Sequence, residues 1–203
     1  EDHALTPFFS YRDRSDWKEP QVLPKIINTR LNFLRGYGLS ADGTTLYFST
    51  MKSPGVGGFD ICTSEWRGGN AWTNPANLGA PINSRLHEAC ASLTPDGKTM
   101  YFMRCNRMDQ NNAEGCTLFR VDKQPNGQWG EPTALPESIN TGNSQTPRIM
   151  ADAETLIFSS DQMDGSRGGM DLYVTRIREG VWSAPLALDF ANTERHDQYV
   201  SVA

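Results

Sequence analysis

The 203-residue sequence predicts an all-β chain, a β-propeller of four-stranded antiparallel blades with three complete repeats and partial blades at both ends. Three observations predict it. The phrase Gly57-Gly58-Phe59-Asp60-Ile61 returns as Gly168-Gly169-Met170-Asp171-Leu172, 111 residues later. Trp17, Trp72, Trp129 and Trp182 recur at spacings of 55, 57 and 53, each followed three residues on by proline (Pro20, Pro75, Pro132, Pro185). Finally, no stretch of ten or more residues carries a 3.6-residue apolar period, so almost no helix is expected. A binding motif usually appears once, whereas a motif that builds a structural unit appears once per unit.

The other markers keep the same beat. Gly115 is the middle copy of the glycine pair, with Thr117 where the outer copies have Asp60 and Asp171. Leu23, Leu78, Leu135 and Leu188 follow the prolines, and Asn28, Asn83, Asn140 and Asn192 close the units. Asp42, Asp96 and Asp152 lie 54 and 56 residues apart. Asp-Gly after a few leading residues marks a tight turn between the first two strands of each unit; the third unit has Ala153 in place of the glycine. The second strand follows as Leu46-Tyr47-Phe48, Met100-Tyr101-Phe102 or Leu156-Ile157-Phe158, an aromatic and apolar run suited to burial on both faces, with the three phenylalanines in equivalent core positions. A loop of small and polar residues leads to the Gly-Gly-x-Asp phrase and the third strand. The fourth strand is expected to begin at the tryptophan and, because it holds proline, to lie at an edge.

A flat four-stranded unit cannot bury both faces alone; stacking on its neighbours supplies the core. The tryptophans are therefore read as blade-to-blade packing in preference to platforms for sugar rings. The repeats span residues 31–83, 84–140 and 141–192, with partial blades at 1–30 and 193–203. Joining the two ends would complete a fourth blade except for its second strand. Closed propellers hold roughly four to eight blades, so the sequence is expected to be a segment of a larger propeller, any signal or anchor lying upstream.

Asp-Gly-x-x-x-x-Phe, Gly-Gly-x-Asp-apolar-Tyr and Trp-x-x-Pro-x-x-Leu followed by Ile-Asn-Ser/Thr together resemble the TolB-like propeller repeat, a relative of WD repeats. Gly-Gly-Met-Asp-Leu-Tyr and Pro-Ile-Asn-Ser are similar to the style of Bacteroidota envelope proteins. The resemblance covers the chain from about residue 17. It implies a periplasmic or outer-membrane-associated scaffold, set beside OmpA-like modules or within type IX secretion and gliding machinery. Its partners would then be other proteins of an envelope complex. A second expectation is a glycan- or peptide-recognition propeller serving a hydrolase module elsewhere in the polypeptide.

Net charge of −5 without a Lys/Arg cluster disfavours a phosphate-tracking surface, so no nucleic-acid partner is expected. No apolar run approaches 18 residues, so no membrane span is expected. Of four cysteines, Cys105 and Cys116 flank a ten-residue loop at the mouth of one hairpin, where facing β-carbons lie close enough to bridge. A disulfide there implies an oxidising compartment and stands in for the aspartate that this unit lacks, an Asx-type tie to loop N–H groups. The alternative is two thiols in a cytosolic protein. Cys62 and Cys90 are expected as buried free thiols.

No Gly-x-Ser-x-Gly elbow and no nucleophile–base pair stands out, so no enzyme activity is expected. His87 and His196 each lie four residues after a closing asparagine, and the next position is assigned Phe33, Glu88, Gln145 and Asp197 across the units. In a propeller this connection leads to the innermost strand, so Arg35, His87, Glu88, Gln145, His196 and Asp197, with Asn32 and Ser144, are candidate ligand- or partner-binding residues on a channel rim. Carboxylates there suit Ca²⁺ and imidazoles Zn²⁺. The alternative is a rim of His–acid pairs that bond between blades. No resident metal or cofactor is expected.

Overall fold

A computed structural model describes residues 6–52, 54–109 and 112–201, excluding the side chains of Leu34 and Arg35. Among the described residues there are strands and no helix. An N-terminal unit holds β1 (Phe8–Phe9), β2 (Arg12–Asp13), β3 (Asp16–Trp17) and β4 (Gln21–Val22). The first blade is β5 (Asn32–Leu39), β6 (Thr45–Thr50), β7 (Asp60–Glu65) and β8 (Ala76–Asn77). The second is β9 (His87–Leu93), β10 (Thr99–Met108), β11 (Ala113–Asp122) and β12 (Thr133–Ala134). The third is β13 (Gln145–Ile149), β14 (Thr155–Ser160), β15 (Asp171–Arg178), β16 (Val181–Trp182) and β17 (Leu186–Ala187). Each blade is an antiparallel sheet whose strands pair in chain order, with β16 and β17 both pairing to β15.

Registers repeat between blades. Phe48 faces Cys62, Phe102 faces Phe119 and Phe158 faces Tyr173, so the three phenylalanines are equivalent, as expected. In the N-terminal unit β1 carries the third-strand role. Leu23 N–H donates to the Pro7 carbonyl just as Leu78, Leu135 and Leu188 donate to Ile61, Leu118 and Leu172. The fourth strand departs from expectation. Trp72 and Trp129 make only isolated bridges to Trp66 and Lys123, and the ladder forms after the proline, over two residues. Proline interrupts donation, so the outer edge is very short, a form that resists edge-to-edge association.

Second strands are buried on both faces because each alternates between two inter-blade cores. Leu46 and Phe48 pack toward the N-terminal unit with Leu23, Ile27, Phe9 and Trp72. Tyr47 turns the other way, into a core with Ile61, Ile82, Met100, Phe102 and Trp129. Tyr101 and Met103 join Leu118, Leu156, Phe158, Tyr173 and Trp182 in the next. Thus Trp72, Trp129 and Trp182 each pack on the preceding unit. Trp17 does not: it is 70% exposed, since among the described residues no unit lies before it to cover the ring.

Asp42, Asp96 and Asp152 build the turns that start the second strands. Asp42 accepts from the Thr44 N–H at 3.0 Å, Asp96 from Lys98 N–H at 3.0 Å, and Asp152 from Thr155 N–H at 2.8 Å. Hydroxyls of Ser40 and Thr94 bond Asp42 and Asp96 and hold both carboxyls below the usual range. Ala153 adopts the φ of +57° that the turn demands, where Gly43 and Gly97 have +70° and +65°. The innermost strands of the second and third blades share a bulge, with Cys90 and Thr146 at φ of +57° and +50°, and Tyr199 has the same conformation at +60°.

Candidate functional site

The repeated phrase explains itself at the seams between blades. Asp60 Oδ2 accepts from the Val56 N–H at 2.6 Å and from Asn77 Nδ2 at 2.9 Å. Asp171 Oδ2 accepts from the Ser166 hydroxyl at 2.7 Å and from the N–H groups of Arg167 and Gly168 at 2.7 and 3.0 Å. Each carboxylate folds the loop before it into an Asx-type turn. Burial pushes the Asp171 carboxyl upward, but Ser166 and the Gly168 and Arg167 N–H groups outweigh it and hold the group below the usual range.

The glycines admit the next blade. A Cβ on Gly57 would lie 2.2 Å from the Ser84 carbonyl oxygen, and one on Gly58 would lie 2.3 Å from the His87 ring. Gly168 and Gly169 stand in the same relation to Arg195 and His196, at 2.2 and 2.4 Å. Through that gap His87 Nδ1 accepts the Phe59 N–H at 3.2 Å, and His196 Nδ1 accepts the Met170 N–H at 3.2 Å. In the middle unit Asn143 Oδ1 takes the same bond from Cys116 N–H at 2.9 Å. The three side chains form equivalent latches between consecutive units. Asn143 was hidden in the sequence because it lies three residues after Asn140, one fewer than the histidine spacing.

That missing residue also shifts the rim assignment. By register Glu88 faces Arg104 and Asn32 faces Thr50, while the Ser144 hydroxyl bonds that of Ser160 at 3.4 Å. The equivalent set is therefore Asn32, Glu88, Ser144 and Asp197; Phe33 and Gln145 fall one place later. Glu88 is buried, with 0% exposure, and does not line an opening. Its Oε1 accepts from the Arg104 Nε at 2.7 Å and its Oε2 from the Ser84 N–H at 3.0 Å. Asp197 repeats the second contact, accepting from the Thr193 N–H at 2.6 Å. Gln145 is buried, donates to the Ala113 carbonyl at 2.7 Å, and accepts from Gln198 at 3.1 Å. The side chain of Arg35 lies outside the described residues. His87, Gln145 and His196 thus lie along separate seams, Glu88 and Asp197 bond within their own units, and among the described residues no three His, Cys, Asp or Glu side chains are placed to hold a metal.

Arg104 went unnoticed in the sequence. Besides Glu88 it donates to the Ile82 carbonyl at 3.0 Å, and its guanidinium lies 4.6 Å from the Phe119 ring centroid. The closing asparagines act as a side-chain rung: Asn83, Asn140 and Asn192 each accept from and donate to the backbone of Ile61, Leu118 and Leu172. In the N-terminal unit the position equivalent to Ile61 is Pro7, which has no N–H to give an asparagine. Cys105 and Cys116 face each other in register and form a disulfide. Here β10 and β11 run on to Met108 and Ala113, so ladder and disulfide close the loop that aspartate closes elsewhere. Cys62 and Cys90 are buried free thiols, both pushed up to about 12 by burial.

A cleft of about 850 Å³ opens between the N-terminal unit and the first blade. Phe8, Phe9, Tyr11, Trp17 and Trp66 line it, and Leu39, Arg148 and Ser201 bound it toward the centre of the molecule. Arg148 spans the centre, donating to the Tyr37 carbonyl at 3.2 Å.

No protein-family model matches the sequence, and no curated protein matches it either. Solved structures do. TolB from Acinetobacter baumannii superposes with a TM-score of 0.52 at 15% identity, over 83% of this chain and 35% of that one. A TolB from Agrobacterium tumefaciens gives 0.52 at 20% identity, over 81% of this chain and 50% of that one. The fold is a β-propeller, as in these two structures. The chain spans half or less of the length of both proteins.

Proposed function

We propose that this chain is a non-catalytic, protein-binding propeller module, exported to the bacterial cell envelope and working within a type IX secretion or gliding-associated complex. One observation carries the reading. The rim histidines are spent on latches between blades and Glu88 and Asp197 on bonds within their own units, while an aromatic cleft opens between the N-terminal unit and the first blade. Phe8 and Trp17 both lie exposed in it, and exposed apolar side chains gathered in one place favour a macromolecular partner. The Cys105–Cys116 disulfide supports an oxidising compartment, and the envelope setting rests on the likeness of the repeat phrases to Bacteroidota envelope propellers. No helix of the described residues is long and apolar enough to cross a membrane.

Photo-cross-linking from position 17 in the source bacterium tests the proposal. Adducts with envelope proteins, and a Cys105–Cys116 bridge intact on isolation, are the expected result. Recovery from the cytosol with both cysteines reduced would refute it. The second reading, a glycan-recognition module for a hydrolase, draws on the exposed rings of Phe8 and Trp17 at 60% and 70%. Saturable binding to an oligosaccharide array, abolished by Trp17→Ala, would favour it.

A further inference from the structure

We infer that the buried polar row of the third blade is a binding site for an alkali-metal ion, held by the second carboxylate oxygen of Asp171. The inference stands apart from the protein-binding reading and does not rest on it.

The repeat sets one row of three side chains across the first, second and third strands of each complete blade. In the first blade the row is Asn32, Thr50 and Asp60. In the second it is Glu88, Arg104 and Thr117. In the third it is Ser144, Ser160 and Asp171: Ser160 faces Asp171 in register, and its hydroxyl lies 3.4 Å from that of Ser144. Each row buries one carboxylate, Asp60 at 1% exposure and Glu88 and Asp171 at 0%. A charge so deeply buried is costly unless it is paired.

The rows differ in how that charge is balanced. The second carries its own cation, with Arg104 Nε donating to Glu88 at 2.7 Å. No ion pair among the described residues reaches Asp60 or Asp171. Arg167 gives its backbone N–H to Asp171 but turns its guanidinium to Asp189, at 3.7 Å. The donors described for Asp60 and Asp171 all bond Oδ2. Oδ1 of each is buried and takes no hydrogen bond among the described residues. The same atom is thus unpartnered in both rows that lack a cation, and the row that has a guanidinium shows what they lack.

Donor chemistry names the ligand class. Beside Asp171 the third row offers neutral oxygens: the hydroxyls of Ser160 and Ser144, and the Thr141 carbonyl that both approach, at 2.8 and 3.4 Å. An all-oxygen set suits a hard cation. One carboxylate balances one positive charge, as the guanidinium does in the second row, whereas a divalent ion would leave a buried charge of its own. The row holds no imidazole or thiolate for zinc and no second carboxylate for calcium. A buried water would satisfy Oδ1 as an acceptor without neutralising it.

Urea unfolding of the whole 203-residue protein at neutral pH with a chelator reads the site, in NaCl or KCl against tetramethylammonium chloride at constant ionic strength. Above the dissociation constant, the folded-to-unfolded ratio should rise about tenfold for each tenfold rise in alkali ion per occupied site. Asp171→Asn should reduce that dependence by one site, whatever its own midpoint. Sodium-23 relaxation on the folded wild-type protein needs no variant, and should show saturable binding that KCl displaces. Equal stability in the three chlorides, with no excess sodium relaxation, would overturn the inference and leave a water on Oδ1. So would an ion dependence unchanged in Asp171→Asn, or a stabilisation by CaCl₂ that neither NaCl nor KCl reproduces.

Discussion

Single residues at the turns and seams carry forces that can be separated by measurement. Ala153 sits in the left-handed region, where a β-carbon costs roughly 1–2 kcal/mol. Ala153→Gly relieves that strain but loosens the unfolded chain, so a net gain of up to about 1 kcal/mol is expected in chemical denaturation. Asp171 is held as a carboxylate by Ser166, Arg167 and Gly168, and its carboxyl stays below the usual range. A depressed folded-state value means that its contribution is complete above the unfolded value near 4 and fades as pH falls through the folded value. Asp171→Asn should therefore lower the urea midpoint at pH 7, and the gap from wild type should narrow below about pH 4. An equal gap at both pH values would show that the charge contributes nothing. The middle unit avoids burying such a charge, because Thr117 stands there and the disulfide closes the loop instead.

The hairpin of β10 and β11 is the element where covalent and ladder bonds can be told apart. Removing a crosslink with a sequence separation of 11 costs about 2–3 kcal/mol on the chain-entropy account. Cys105→Ser with Cys116→Ser should lower stability by that amount, read from denaturant midpoints with and without reductant. Strand content of this kind was plain in the sequence. Continuous apolar runs such as Leu46-Tyr47-Phe48, with Asp-Gly turns before them, name the second strands, and the Cys105–Cys116 spacing names the bridge. Two things were hidden. The inner-strand bulge at Cys90 and Thr146 adds no composition signal, and the residue that Asn143 lacks relative to the histidine spacing moved Gln145 one register off the true set. A one-residue slip exchanges inward for outward faces, so counting set Gln145 beside Glu88 and Asp197 where the register equivalent is Ser144.

At the scale of the whole molecule, stability comes from units stacked on their predecessors, so a residue's cost depends on which neighbour it has. Trp129→Ala should cost about 2–4 kcal/mol because the ring packs in the core with Tyr47 and Ile82. Trp17→Ala should cost less than about 0.5 kcal/mol, as at other exposed surface positions. Thermal or urea unfolding of the two variants checks both. The central claim is that His87, Asn143 and His196 are one structural device repeated at three seams. Residue-resolved hydrogen exchange at the amides of Phe59, Cys116 and Met170 tests it most directly. All three should exchange slowly. His87→Leu should release Phe59 alone and His196→Leu should release Met170 alone. His87→Asn, which copies the middle seam, should keep Phe59 protected. Rapid exchange at these amides in the wild-type protein, or unchanged protection of Phe59 in His87→Leu, would contradict the claim.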